Sequence, residues 1–172
     1  MNQQKTSNMN KIILKNGLFG GLIVAASLVI ITLYMKANPE KVVNMFYGFA
    51  SMLLAFFFAL QGIKQQKNTD NGIISFGKAF KISFWITFSI ATIYVIVWLL
   101  IYYNFFPNFA EHYTDMAIKN ASPADVVQVT KDMNAFKEMY KNPLMVVLLT
   151  YAEILPLGLI FSLLSAILIK KK

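Results

Sequence analysis

Glu153 is the one charge inside an apolar run of 28 residues, Asn142–Ile169. An ionised carboxylate at that depth in lipid is expensive, so burial favours the neutral acid unless a cation pairs with it. Three residues on, Pro156 lacks the backbone donor that would satisfy the carbonyl of Ala152, and Gly158 follows. A carboxyl beside a freed carbonyl resembles the donor set of ion- or proton-coupled carriers. The plainer reading is a protonated Glu153 that hydrogen-bonds a Thr, Ser or Tyr hydroxyl across a helix bundle, or reaches toward the outer interface. A carrier ordinarily has more than one intramembrane polar group, and no second charge lies inside any apolar run. The plainer reading is preferred, and a multi-step relay is unsupported.

The only histidine, His112, follows Glu111 and precedes Asp115 by three residues. Glu111 and Asp115 share a helical face, which makes a weak divalent-cation site conceivable. One imidazole and two acids fall short of the usual ligand sets, so a solvated face is expected instead. Cysteine is absent, which excludes disulfides, thiolate nucleophiles and cysteine-bound metals. Hydrolase, phosphate-loop, dinucleotide and zinc-protease motifs are missing. No enzyme, cofactor or resident metal is expected.

Such residues must be held by something other than a soluble core. Of 172 residues, 57% are hydrophobic and 14% charged, against roughly 45–50% and about 25% in soluble domains. A water-soluble fold of this size cannot hide that much apolar surface. The formal net charge of +8 is carried by lysine alone; there is no arginine for bidentate phosphate or guanine contacts. Nucleic acid is not an expected partner.

Four runs are long enough to cross a bilayer, which takes about 20 apolar residues. The spans are expected at about 14–35, 42–63, 81–104 and 143–169, with an extracytoplasmic segment at 105–142. Helices are required, because lipid satisfies no free backbone groups and the runs are too long for barrel strands. The first run lacks a small-x-small exit, so a retained span is expected rather than a cleaved signal. The fold class that follows is an all-α membrane protein. It is an antiparallel four-transmembrane-helix bundle with an amphipathic extracytoplasmic helical segment between spans three and four.

Lysine placement sets the expected orientation. Lys5, Lys11, Lys15, Lys64, Lys67, Lys78, Lys81 and the tail Lys170, Lys171 and Lys172 fall on one side, with Asp70 the only acid there. The other side is neutral, six lysines against six acids. The positive-inside rule then places both termini in the cytoplasm of a bacterial inner membrane, with the lysines near anionic headgroups. Trp85 near one boundary and Trp98, Tyr102 and Tyr103 near the other agree with span three.

Small residues recur every four positions in each span: Gly17, Gly21 and Ala25; Ser51, Ala55 and Ala59; Ser83, Thr87 and Ala91; Gly158, Ser162 and Ala166. These ridges let helices approach closely where lipid supplies little hydrophobic drive. Packing within one bundle is expected; a homodimer through Gly17 and Gly21 is the sharper alternative. Asp70-Asn71-Gly72 signals a turn, and residues 73–81 read as an interfacial lead-in to span three or as the plain start of its helix. Ser122-Pro123 reads as a helix start, followed by an apolar face of Val126, Val129, Met133, Phe136 and Tyr140. That face is expected on the bilayer surface, on the outer ends of the bundle or against a partner.

Several patches carry a family likeness. They are residues 47–53 (Tyr47-Gly48-Phe49-Ala50-Ser51-Met52-Leu53), Gly62-Ile63-Lys64, the stretch Ile74 to Lys81, Phe136 to Pro143, and Glu153-Ile154-Leu155-Pro156-Leu157-Gly158. With these the chain resembles short bacterial four-span membrane proteins catalogued only as a domain of unknown function. The resemblance implies the architecture and brings no activity or ligand. The functional expectation is an interaction or accessory protein, with a membrane-protein partner or a second copy as its contact. The alternative is a homo-oligomeric proton- or ion-coupled carrier or channel that uses Glu153 and Pro156.

Overall fold

The structure is a computed structural model that describes residues 2–41 and 43–169. Val42, where span two was expected to open, and the tail Lys170, Lys171 and Lys172 lie outside the described residues. Six helices follow in order: α1 Asn2–Ala37, α2 Met45–Thr69, α3 Phe76–Asn104, α4 Phe109–Lys119, α5 Val126–Tyr140 and α6 Pro143–Ile169. Among the described residues there is no strand. Four of the helices, α1, α2, α3 and α6, are long and apolar enough to cross a membrane. The protein is a multi-pass, all-helical membrane protein.

Local chemistry explains the boundaries. Asn44 caps α2 by accepting from the Phe46 N–H at 2.9 Å. At the other end of α2, the Gly72 N–H reaches back to the Lys67 carbonyl at 2.9 Å. Asn71 and Gly72 take positive φ, 56° and 84°, to make that turn. Ser75 then caps α3, which runs unbroken from Phe76.

Helix α3 is the hub and packs on α1, α2 and α6, while α2 also touches α1 and α6. Side-chain contacts give the directions. Asn16 donates to Gln65 Oε1 at 3.0 Å, which sets the start of α1 beside the end of α2. Thr87 meets Ser162 at 3.1 Å and, farther along α3, Tyr94 meets the earlier Glu153 at 3.2 Å, so α3 and α6 run antiparallel. Gly17 faces Ser89 and Gly21 faces Ile93, so α1 and α3 run parallel.

The small-residue ridges are the seams of this one chain. A Cβ at Gly17 would stand 2.8 Å from Ser89 Cβ, and one at Gly21 would strike the Ile93 side chain. The glycine pair is therefore occupied by α3 rather than free for a second copy. Ala55, Ala59, Ser83, Ala91, Ser162 and Ala166 are likewise buried. Opposite the seams the two outer helices carry large residues: Leu14, Leu18, Leu22, Ile30 and Leu33 on α1, and Leu159, Ile160, Leu163, Leu164, Ile167 and Leu168 on α6 are exposed. Small residues at the helix seams, with leucine and isoleucine chains on the outer faces, are the pattern that lipid solvent selects, and Phe56, Ile82, Ile86 and Ile90 fill the space between the seams.

The α1–α2 connection, α4 and α5 lie at one end, here the loop end. Helix α4 is a separate helix within the segment 105–142 that the sequence sets between spans three and four. Its spacing of Phe109, Tyr113, Met116 and Ala117 gives a face that packs inward. Helix α5 opens at Val126, three residues after the expected start. Ser122 still serves the turn before it, its hydroxyl accepting from the Asp125 N–H at 3.3 Å. The apolar face does turn inward: Val126, Val129, Met133 and Phe136 are half-buried and Tyr140 is buried. It meets α4 through Tyr113 and Phe136, whose ring centroids are 5.5 Å apart. It meets the bundle where the Tyr102 hydroxyl donates to the Tyr140 carbonyl at 3.2 Å.

Candidate functional site

Glu153 lies about 15 Å along α6 from Pro143, at 1.5 Å per residue. Antiparallel packing sets Tyr94 of α3 level with it, and the Tyr94 hydroxyl donates to Glu153 Oε1 at 3.2 Å. The hydrogen bond across the bundle expected from the sequence is present, with a tyrosine as partner. A second rung joins the same pair of helices, the Tyr151 hydroxyl donating to Thr92 Oγ1 at 3.1 Å. Among the described residues no lysine pairs with Glu153.

Glu153 is not enclosed. Its side chain keeps accessible surface and lines a cavity of about 300 Å³ at the loop end. Helix α1 contributes Leu28, Thr32 and Met35, the start of α2 contributes Asn44, Gly48 and Phe49, and α3 contributes Tyr94 and Trp98. Phe109, His112, Tyr113 and Met116 of α4 form the roof, and Tyr140 closes the side. Lys41, Asn44, Phe49, Tyr113, Asn120 and Glu153 itself are both lining and exposed, and Lys41, Asn44 and Asn120 are the polar residues of the mouth. Glu153 is the only acid in the lining.

The space exists because of what occupies α2. Two turns deeper, Phe56 is fully buried, reaches toward Gly158 and lies against the Phe161 ring at 5.8 Å. It fills the interior beside Ile90 and Ile154, which are also fully buried. At Gly48 there is no side chain, and a Cβ there would meet nothing within 4 Å. The bundle is thus plugged below Glu153 and hollow above it.

The roof is tied down on two sides. Lys137 of α5 meets Glu111 of α4 at 2.9 Å, and Thr114 donates to the Met133 carbonyl at 3.3 Å. Lys119 at the end of α4 meets Glu40 of the α1–α2 connection at 2.9 Å. Trp98 stands edge-on to Phe109 at 4.7 Å, and the Phe109 ring lies 5.8 Å from that of Tyr140. Burial lifts the Tyr140 phenol above its ordinary value, so it stays protonated in the wall.

The Lys119 ammonium, by hydrogen bond and by charge, holds the Glu40 carboxyl below its ordinary value. A lowered carboxylate pKa means that the pair acts above the unfolded value and is lost as pH falls through the folded one. Both groups are exposed, so the effect on stability is small. Lys119→Gln is expected to return the Glu40 carboxyl toward 4.5 in a side-chain NMR titration. An unchanged midpoint would mean that the latch does not form in solution.

The remaining sequence candidates separate. His112 lines the cavity with its ring 5.8 Å from that of Phe106, whereas Glu111 is engaged by Lys137. Among the described residues no three His, Asp or Glu side chains come close enough to hold a metal. Pro156 lies on an exposed face of α6, which runs unbroken through it, and it does not line the cavity. Glu153 is joined instead by Tyr94, Trp98 and the α4 roof.

Because the chain has no cysteine, single thiols report on this geometry cleanly. Gly48→Cys is expected to react with a small methanethiosulfonate at least about tenfold faster than Ala55→Cys, whose position is sealed in the packed layer. Equal rates would show that the cavity is closed to water.

No curated protein and no solved structure matches the chain. A family model does, over residues 15–171, which takes in all of α2 through α6 and most of α1. With four apolar helices spanning that same stretch, the chain belongs to the family described as protein of unknown function, DUF4199.

Proposed function

We propose that this is a small integral membrane protein that binds an organic ligand in the loop-end cavity. The observation that carries this reading is the opening of a lone intramembrane carboxyl, Glu153, into a space of about 300 Å³ walled by aromatic and aliphatic side chains. Small-molecule sites have this make-up, an apolar enclosure with few polar groups that fix orientation. The lysine distribution supports a bacterial inner membrane with cytoplasmic termini, so the ligand would arrive from the extracytoplasmic side.

The accessory reading loses its best surface, since the apolar face of α5 is spent on α4 and the bundle end. The carrier reading shares the cavity and Glu153, and would need the packed layer around Phe56 to open.

The test is native mass spectrometry of the protein isolated from its own membrane in nanodiscs. A small molecule released in near-stoichiometric amount supports ligand binding. An empty protein bound instead to a stoichiometric protein partner would restore the accessory role and overturn the ligand reading.

A further inference from the structure

The same cavity says what charge its ligand carries. Among the described residues its lining holds one acid, Glu153, which lies inside an apolar span with the Tyr94 phenol as its hydrogen-bond partner. Around it the wall is aromatic: Tyr94, Trp98, Phe109, Tyr113 and Tyr140 all line the space. Trp98 and Phe109 meet edge to face at 4.7 Å, and Phe109 stacks on Tyr113 at 5.7 Å, so the rings form a continuous panel.

Aromatic faces carry negative potential and attract organic cations, tryptophan most strongly. A carboxylate at this depth also lacks the counter-charge that would make its ionised form affordable. We propose that the cavity selects an organic ammonium with one positive charge, seated between Glu153 and this aromatic panel. The assignment rests on the cavity being a ligand site and adds the chemical class of the ligand.

Other classes fit less well. Calcium and magnesium take six or more oxygens, and beside one carboxyl the lining offers only neutral groups such as Thr32, Asn44, Asn120 and the phenols. An anion would supply Glu153 with no counter-charge and would face the negative potential of the ring faces. A dication would bring its second charge toward Lys41 at the mouth. A monocation with an apolar body meets the carboxyl, the rings and the aliphatic side chains of the lining, and keeps its single charge away from Lys41.

Trp98 lines the cavity while Trp85 is 44% exposed, so Trp85→Phe leaves one indole that reports on occupancy. The experiment titrates that protein in maltoside micelles, whose headgroups are uncharged. Three probes are compared: phenethyltrimethylammonium, its uncharged carbon isostere and 3-phenylpropionate. The expected result is saturable binding of the ammonium at least about tenfold tighter than the isostere, with the carboxylate weakest. Glu153→Gln should abolish that preference and leave the isostere unchanged, while Glu153→Asp should retain part of it.

Equal binding of ammonium and isostere would overturn the ammonium assignment and leave the cavity as a ligand site. Tighter binding of the carboxylate would also overturn it. Failure of all three probes would overturn it too; the binding reading itself would fall only with an empty native mass spectrum. The preference is read first with Glu153 in place, so the test does not depend on the folding of either substitution at that position.

Discussion

Gly20→Leu should destabilise the folded bundle by about 3 kcal/mol, near the upper end of what overpacking a tight interior costs. Gly20 lies where three helices meet. A Cβ there would strike the Ile90 side chain of α3 and stand 2.8 Å from the backbone carbonyl oxygen of Ala55 on α2. The side chain of Ile90 can turn, but a helix carbonyl cannot, so α1 must move away from α2 or α3. Either movement opens the seams that Gly17 and Gly21 make with α3. Gly77→Leu is the control, because a Cβ there meets nothing within 4 Å. It should be neutral or gain up to about 1 kcal/mol from helix propensity. Unfolding in mixed micelles checks both. Equal midpoints for the two variants would show that α1 does not pack as described. If the ridge instead joined two copies, Gly20→Leu would lower the oligomeric state and leave monomer stability near that of the control.

The spans were legible because length and apolarity are local properties of the chain. The ridges of small residues were legible too, but their partners were not. Nothing in Gly17 and Gly21 says whether Ser89 and Ile93 of the same chain or a second copy will cover them. Glu153 was visible as the lone charge in an apolar run. Its partner Tyr94 lies 59 residues away and is one of several tyrosines that could have reached it.

The cavity was not legible at all. It depends on Gly48 standing where a larger side chain would fill the bundle, and on a roof formed by α4. That helix was hidden by its own composition: Phe105, Phe106, Phe109 and Ala110 read as the tail of an apolar run. The later pattern of Phe109, Tyr113, Met116 and Ala117 was the signal that could have marked it. The start of α5 was misplaced by three residues because Ser122 caps a turn that the helix does not yet join. Pro156 drew attention through its effect on the backbone, but its face of α6 looks away from the cavity lining.

Filling the cavity gives the sharpest separation of function from stability. Gly48→Trp should weaken binding of phenethyltrimethylammonium by about a hundredfold, or about 2.8 kcal/mol at 1.4 kcal/mol per factor of ten. The indole has space to enter, since nothing lies within 4 Å of a Cβ at Gly48, and it would compete for the volume beside Trp98 and Glu153. Stability should hold or rise slightly, because glycine is the poorer helix former at that position of α2. The calorimetric affinity and the unfolding midpoint therefore move independently. A variant that lost both would mean that the indole does not enter the space beside Gly48 and that the cavity is not shaped as described. A variant that kept full affinity would place the ligand elsewhere. Loss of affinity with an unchanged midpoint is the outcome that a built site requires. A void left by poor packing would gain stability on filling and have no ligand to lose.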